Sequence, residues 1–543
     1  MRGLEDTSVL GVGLQSGVGQ VGIGYLGVRG EGLNTDGLSL DLQFAADKTL
    51  TARKGPTPVL TRANATATFI GSDGLIQTAI ASQARFDHDP IGLTNLLSYS
   101  NDFNNAVWGA INEFPVRSQN QTDPYGVVNN AWTLDDQFLY NDGAAIDQTF
   151  SISPSSTRNY TFSVFAKQGT AEYFDIYSFF QTTTKGSYVR YTWATDQFAA
   201  GSADGGGVVP TNIVKTSFGN GWYRFSFTVN DANEGNNISL CYRLYPSGRD
   251  ANKTGTTIFY GNQVEFGSTV TNYIPTTSNP VTVRDCKGLL LEEQRTNLVF
   301  PSAALTTQTR TVTAVAHTLS FYGTGTIVLS GVHVATVTGT GAYPTRTTLT
   351  FTPTAGSLIL TVTGSVTQAQ LEAGAFVTSY IPTTTGSAVR SADACSITGA
   401  NFTAMYNQTE GSVLVGASTV TSGTRDLVSI DSNGYTENIT LFTGSNSAQL
   451  SVVDSGAFQV SISSGSPIAS NVAFKLACAY KLNDFALTKN GVAPQTDNTG
   501  TLPTPNQLKI GYEKGQYVLC GHVASLRYYK KRLPNDKLQS LTA

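Results

Sequence analysis

Tyr-Thr-Phe-Ser-Val-Phe-Ala-Lys, residues 160–167, decides the fold class. Tyr160, Phe162, Val164 and Ala166 occupy every second place, the period of a strand whose side chains alternate between two faces. Residues 222–229 repeat the pattern, with Tyr223, Phe225, Phe227 and Val229 on one face and Trp222, Arg224, Ser226 and Thr228 on the other. Ile-Ser-Leu-Cys-Tyr-Arg-Leu-Tyr at 238–245 and Thr-Ile-Phe-Tyr-Gly-Asn-Gln-Val-Glu-Phe at 257–266 read as further strands. Gly, Asn and Pro punctuate these runs and no helical window intervenes, so residues 93–283 are expected to form an antiparallel sandwich.

The end of this stretch recurs. Gln-Val-Glu-Phe-Gly-Ser-Thr-Val-Thr-Asn-Tyr-Ile-Pro-Thr-Thr at 263–277 returns at 370–384 with ten of fifteen positions identical, at an offset of 107. Thr-Asn-Leu-Leu at 94–97 likewise matches Thr-Asn-Leu-Val at 296–299. A second, shorter sandwich is therefore expected over 296–395, with strands at 326–330 and 357–362. Two copies are too few for a solenoid, so this is module duplication. Residues 396–543 form a third β unit. Its strand at 412–418 turns Val413, Val415 and Ala417 to one side, and another strand follows at 522–529. Segments 473–480 and 485–491 read as a hairpin with an Asn-Gly turn, and Pro534 and Asn535 open a short terminal helix.

The remainder of the chain agrees. At 543 residues it is too long for one domain. Charged residues make up only 13%, with a net charge of −4, so neither nucleic acid nor membrane insertion is expected. No apolar run spans a bilayer, and Glu5 and Asp6 stand where a signal peptide would be basic. The five cysteines are scattered, without a metal-binding or disulfide spacing, and are expected to be buried free thiols in a protein made in a reducing cytoplasm. Residues 1–40 hold eleven glycines. Gly17/Gly19/Gly22 and Gly22/Gly24/Gly27 match a dinucleotide fingerprint, but no helix follows them, so the match is discounted. A segment so poor in side chains costs much entropy to order, so residues 1–60 are expected to be extended and ordered only against a partner.

These strings resemble a known family. Residues 61–69, 72–76 and 85–90 (Arg-Phe-Asp-His-Asp-Pro) resemble a recurrent segment of tailed-phage virion proteins, whose usual continuation, Gly-Leu-Leu-x-Glu-Glu-x-Arg-Thr-Asn-Leu, stands here at 288–298. It looks as if 93–283 were inserted, or duplicated, into that string. The Tyr-Ile-Pro-Thr-Thr closures resemble carbohydrate-binding-module-like sandwiches, and 396–543 resembles a laminin-G/concanavalin-like jelly roll. The resulting expectation is an all-β chain of tandem jelly-roll-type sandwiches. A Gly-rich attachment segment (1–60) is followed by a connector (61–92), the first sandwich (93–283), a linker (284–295), the second sandwich (296–395) and the jelly roll (396–543).

What the resemblance implies is a virion protein, a tail fibre or tail-associated receptor-binding protein adhering to a host surface glycan. It would be held to other virion proteins through its N-terminal segment, as a homotrimer. The alternatives are a purely structural head fibre, capsid decoration or collar protein, and a surface-glycan depolymerase. No GxSxG, HExxH or P-loop string occurs, and the carboxylate pairs Asp87/Asp89, Asp135/Asp136 and Glu292/Glu293 read as solvated structural residues, so catalysis is not expected. No cofactor is expected. Calcium is common in concanavalin-like folds and stays open here, although no dense Asp cluster is present. Sugar sites stack aromatic faces on rings and hold hydroxyls with polar side chains. All four tryptophans lie in the first sandwich. Trp108 and Trp222 are expected in its core, while Trp132 and Trp193 are candidates for the surface. The strand at 173–180 places Tyr173, Asp175, Tyr177 and Phe179 on one face. The candidate glycan-binding residues are therefore Trp132, Tyr173, Asp175, Tyr177 and Trp193.

Overall fold

The computed structural model describes residues 37–139, 143–155, 158–230, 235–249, 253–421, 423–444, 447–513 and 517–543. Most of the expected attachment segment, residues 1–36, lies outside the described residues.

The first sandwich pairs two six-stranded antiparallel sheets. One runs in the order Gln197–Ser202, Lys185–Thr192, Tyr173–Phe180, Ser239–Tyr245, Ala145–Ser151, Gly109–Ile111. The other runs Thr211–Gly219, Trp222–Asn230, Asn159–Gln168, Gly255–Phe266, Ala131–Asp136, Val116–Gln121. The alternating apolar residues of these strands meet in one core, where Phe162 stacks on Phe227 with ring centroids 5.1 Å apart and Trp108 packs edge-on to Phe103. The second sandwich has a four-stranded sheet (Gln308–Val312, Gly356–Thr363, Thr326–Gly331, Ala335–Thr338) and a three-stranded one (Thr347–Phe351, His317–Tyr322, Thr367–Ala373).

The repeated strings are the buried clamps of these two sandwiches. Asn95 donates through Nδ2 to the carbonyls of Asn262 and Ile274 at 3.0 and 2.9 Å, and its Oδ1 accepts from Leu97 N and Val264 N, both at 3.2 Å. Asn297 does the same to Ala369 O and Ile381 O at 3.0 and 2.8 Å, and to Val299 N and Leu371 N. Tyr273 hydrogen-bonds Ser100 as Tyr380 hydrogen-bonds Ser302. Each module is closed by a ribbon of its two ends, Leu93–Asn95 with Val281–Val283 and Arg295–Asn297 with Ala388–Arg390.

The third sandwich is not confined to 396–543. Its eight-stranded sheet takes in Leu38–Leu42, Phe86–His88 and Cys286–Leu291, and its seven-stranded sheet takes in Val59–Thr61. Leu40, Leu42, Phe44, Leu60, Leu289 and Leu291 lie in its core. Residues 37–60 are thus part of a folded sandwich rather than of an extended segment, because Leu38, Leu40 and Leu42 supply the alternating face that the glycines before them lack. The two smaller sandwiches are insertions in this host. The first leaves between strands that are hydrogen-bonded neighbours, with His88 opposite Cys286 and Asp89 N donating to Asp285 O at 2.9 Å. The second leaves between Glu292 and Asp393, where Asp393 N donates to Glu292 O at 3.0 Å. The hairpin over 474–489 turns at Leu482–Asn483, not at an Asn-Gly pair. Lys481 faces Asp484, and Asn490–Gly491 follows the second strand. The terminal helix, Asn535–Thr542, forms as expected after Pro534.

Arg62, Arg85 and Glu292 meet Arg390 and Asp393 in a buried ionic hub. Arg85 donates to Glu292 at 2.6 Å and to Asp393 at 2.5 Å, Arg62 reaches Asp393 at 2.9 Å, and Arg390 lies 3.2 Å from Glu292. Burial opposes ionisation of Glu292, but Arg390 and Arg85 outweigh it and hold the carboxyl well below its usual range. Glu292 is therefore structural but not solvated. Asp87 is likewise buried, accepting from Ile70 N at 2.7 Å and lying 3.0 Å from His522 Nε2. All five cysteines are free and buried, and no helix of the described residues is long and apolar enough to cross a membrane.

Candidate functional site

The outer face of the first sandwich's Tyr173–Phe180 sheet concentrates polar and aromatic side chains. Strand alternation sends Phe174, Ile176 and Phe180 inward and Tyr173, Asp175, Tyr177 and Phe179 outward. The neighbouring strands add Tyr188 and Arg190 on one side, and Cys241, Arg243 and Tyr245 on the other, with Asp147 next to them. Arg190 grips Asp175 with two bonds of 2.7 Å and lies 4.2 Å from the Tyr173 ring. Arg243 pairs with Asp147 at 3.3 Å and sits 5.4 and 5.3 Å from the rings of Tyr177 and Phe179. Arg249 pairs with Asp204 at 3.2 Å and sits 5.0 Å from the Tyr177 ring.

Two loops fold onto this face. The turn at Gly248 brings Arg249 N to Asp175 at 2.8 Å, and at φ +86° a side chain at Gly248 would collide with the Tyr173 ring. From the other side Asp204 accepts the Tyr177 hydroxyl. Burial, with the Asp204 hydrogen bond second, pushes the Tyr177 phenol well above its usual range. Partial burial works against the Asp204 carboxylate, yet the Tyr177 hydroxyl and Arg249 together bring its pKa below the ordinary value. Burial and then the Asp147 charge push the Cys241 thiol up to about 12, so it stays protonated and is no nucleophile at neutral pH.

The expected site residues therefore divide. Tyr173, Asp175 and Tyr177 do share one outward face, but they are not an exposed stripe. Tyr177 is 0% and Asp175 1% exposed, because the two loops cover them. Trp132 is buried in the core, donating to Asn101 O at 2.8 Å. Trp193 is half-buried against Phe174, Tyr191 and Phe225, on the inner side. What remains accessible on the face is Phe179, Tyr188, Arg190, Arg243, Asp147, Arg249 and Asp204; of these the sequence reading placed only Phe179 on the face, and it named none as a binding residue. Arg243 was within reach of it, since the alternation of 239–245 aligns Cys241, Arg243 and Tyr245. Asp204 and Arg249 lie outside strands, where periodicity says nothing. Trp108 and Trp222 are buried as expected.

No family model and no curated protein matches the chain. Among solved structures, the Ruminococcus gnavus IT-sialidase CBM40 bound to alpha2,3 sialyllactose aligns with 25% of this chain and 84% of its own, at 15% identity and a TM-score of 0.23. Mouse laminin alpha1 chain domains LG4-5 align with 77% of this chain and 92% of their own, at 9% identity and a TM-score of 0.18. A SAP-like pentraxin from Limulus polyphemus aligns over 25% and 70%, at 13% identity and a TM-score of 0.20. Likenesses this remote carry no argument about a ligand. The antiparallel strand pairing itself makes this an all-β protein built of sandwiches, two of them set into a third.

Proposed function

We propose that the chain is a glycan-binding adhesion protein of a phage virion, of the tail-fibre or receptor-binding kind, acting by binding rather than by catalysis. The observation that carries the binding is the outer face of the first sandwich. Its three arginines each pair with a carboxylate, and two of them also lie against aromatic rings on the Tyr177–Phe179 side, leaving a surface rich in fixed donors and acceptors beside apolar faces. Such a surface suits hydroxyl-rich ligands. The virion role rests on the resemblance of residues 61–90 and 288–298, and with it come attachment through residues 1–36 and a three-fold assembly.

The test is binding of the full chain to host cells and to a glycan array. Arg243→Ala is expected to weaken adhesion about tenfold, the loss of one charge-assisted contact with its aromatic neighbours, with little change in melting temperature. Undiminished adhesion of Arg243→Ala overturns the assignment of the face. Light-scattering mass tests the trimer, and reducing-end release from host polysaccharide would contradict the non-enzymatic reading. The purely structural role is favoured by one observation, that the arginines of the face are already paired within the chain; failure of the whole chain to bind any glycan or host cell would select it.

A further inference from the structure

The two inserted sandwiches are copies, so each serves as an internal control for the other. Ser98 stands three residues after Asn95, and Phe300 three after Asn297. A glutamine brackets each backbone. Gln148 accepts from Ser98 N at 2.7 Å and donates to Ser98 O at 2.8 Å, and Gln308 makes the same two bonds to Phe300, both at 3.2 Å. Two residues further on, the first sandwich has Phe150 and the second Arg310. In the second, the Arg310 guanidinium lies 3.7 Å from the centre of the Phe300 ring and donates to Phe300 O at 3.4 Å, filling the position. In the first, serine replaces the ring and a groove of about 350 Å³ is open, lined by Leu96, Ser98, Val107, Phe150, Ser151 and Pro280 together with Gln148 and Thr149. Its wall is a sheet edge. Gly109–Ile111 pairs only with Ala145–Asp147, so Gln148–Ser151 has no neighbouring strand there among the described residues. Among the described residues, no charged side chain lines it.

We infer that this groove is a second ligand site on the first sandwich, taking a pyranose unit of an uncharged glycan. The inference rests on the glycan-binding reading above and names the class of sugar and a place for it. Phe150, half-buried against the sandwich core, offers the groove its remaining apolar surface, and Ser98, Thr149, Ser151 and the strand edge offer hydroxyls and backbone groups to a ring's hydroxyls. An acidic sugar would bring a carboxylate into a groove with no counter-charge, which is unfavourable. An extended peptide added to the same edge is the competing occupant.

The test uses the full chain and ligand-observed NMR with lactose, maltose, cellobiose and N,N′-diacetylchitobiose, and with a synthetic Val-Thr-Val-Thr-Val peptide. At least one sugar is expected to bind. Ser98→Phe, which installs the side chain the second sandwich already accommodates, and Phe150→Ser should each weaken that binding about tenfold or more, while Phe458→Ala, at an exposed position on the third sandwich, leaves it within about twofold. If Ser98→Phe fails to fold, Phe150→Ser decides alone. Sugar binding that survives the groove variants but is lost in Arg243→Ala overturns the groove and leaves the outer face standing. Binding of the peptide alone, or of no sugar, overturns the assignment as well, and adhesion of the same protein to host cells then shows whether the wider reading survives.

Discussion

Tyr177 shows how little a residue's face reveals about its surroundings. It points outward from its strand, yet it is fully covered and its hydroxyl is held by Asp204. Tyr177→Ala should therefore behave as a core deletion, costing about 3–5 kcal/mol of stability in denaturant unfolding, as Trp222→Ala should. A loss below about 1 kcal/mol would mean the loops do not seal this face. Asp426 makes a second residue-scale case. Burial, then the nearby Glu513 charge, push its carboxyl from 3.8 up to about 7. Between these values the unfolded chain releases the proton while the folded chain keeps it, so stability falls as pH rises from about 4 to 7 and the loss is complete above 7. Asp426→Asn keeps an acceptor for Glu513 N, which lies 3.0 Å away, and removes the ionisation. The variant should match the wild type at pH 4 and melt several degrees higher at pH 8, read from melting curves across that range.

At the scale of elements, the duplicated strings mark clamps. Thr-Asn-Leu and Tyr-Ile-Pro-Thr-Thr recur because each sandwich must tie its entry to its exit, and buried asparagine satisfies four backbone groups in doing so. Asn297→Ala leaves those groups without partners, at about 1–3 kcal/mol each. It should lower the melting of the second sandwich while the first, clamped by Asn95, keeps its own transition; calorimetry of the full chain separates the two. The strands themselves were legible from period-2 alternation, and observed bounds such as Asn159–Gln168 and Trp222–Asn230 bracket the expected ones. The 474–489 hairpin was legible as a pair, but its turn was misplaced. Leu482–Asn483 makes the connection with Asn483 at φ 57°, so an Asn-Gly pair nearby was the stronger local signal but not the one used.

For the whole molecule, nesting changes what can fold alone. A fragment of 396–543 lacks Leu40, Leu42, Phe44, Leu60, Leu289 and Leu291 of its own core. Their burial is worth on the order of 10 kcal/mol, comparable to the entire stability of a domain. That fragment should show no cooperative transition. Replacing residues 90–284 by a two-residue turn should instead leave a folded protein, because Asp89 and Asp285 are already hydrogen-bonded neighbours. Circular dichroism melts of both proteins check this pair of outcomes, and cooperative melting of the 396–543 fragment would count against the nested arrangement.

Alternation and turn residues determined by themselves that this chain is all-β and which residues share a face; the repeated strings marked two modules as copies, and the interruption at 93–283 was implied by the family resemblance alone. The strand pattern depends on neighbours in sequence, where the two-residue period operates. The tertiary structure alone decided which faces meet water and which strands complete which sheet. Tyr173, Asp175 and Tyr177 share a face in either reading, but only the fold brings Gly248 and Asp204 over it. Glu292, read as solvated, is enclosed because Arg85 and Arg390 arrive from some 200 residues before it and about 100 after it. Leu38–Leu42 joins the last strand of the chain for the same reason: sheet pairing is a contact between segments far apart in sequence, and its stabilisation comes from burial that no local pattern records.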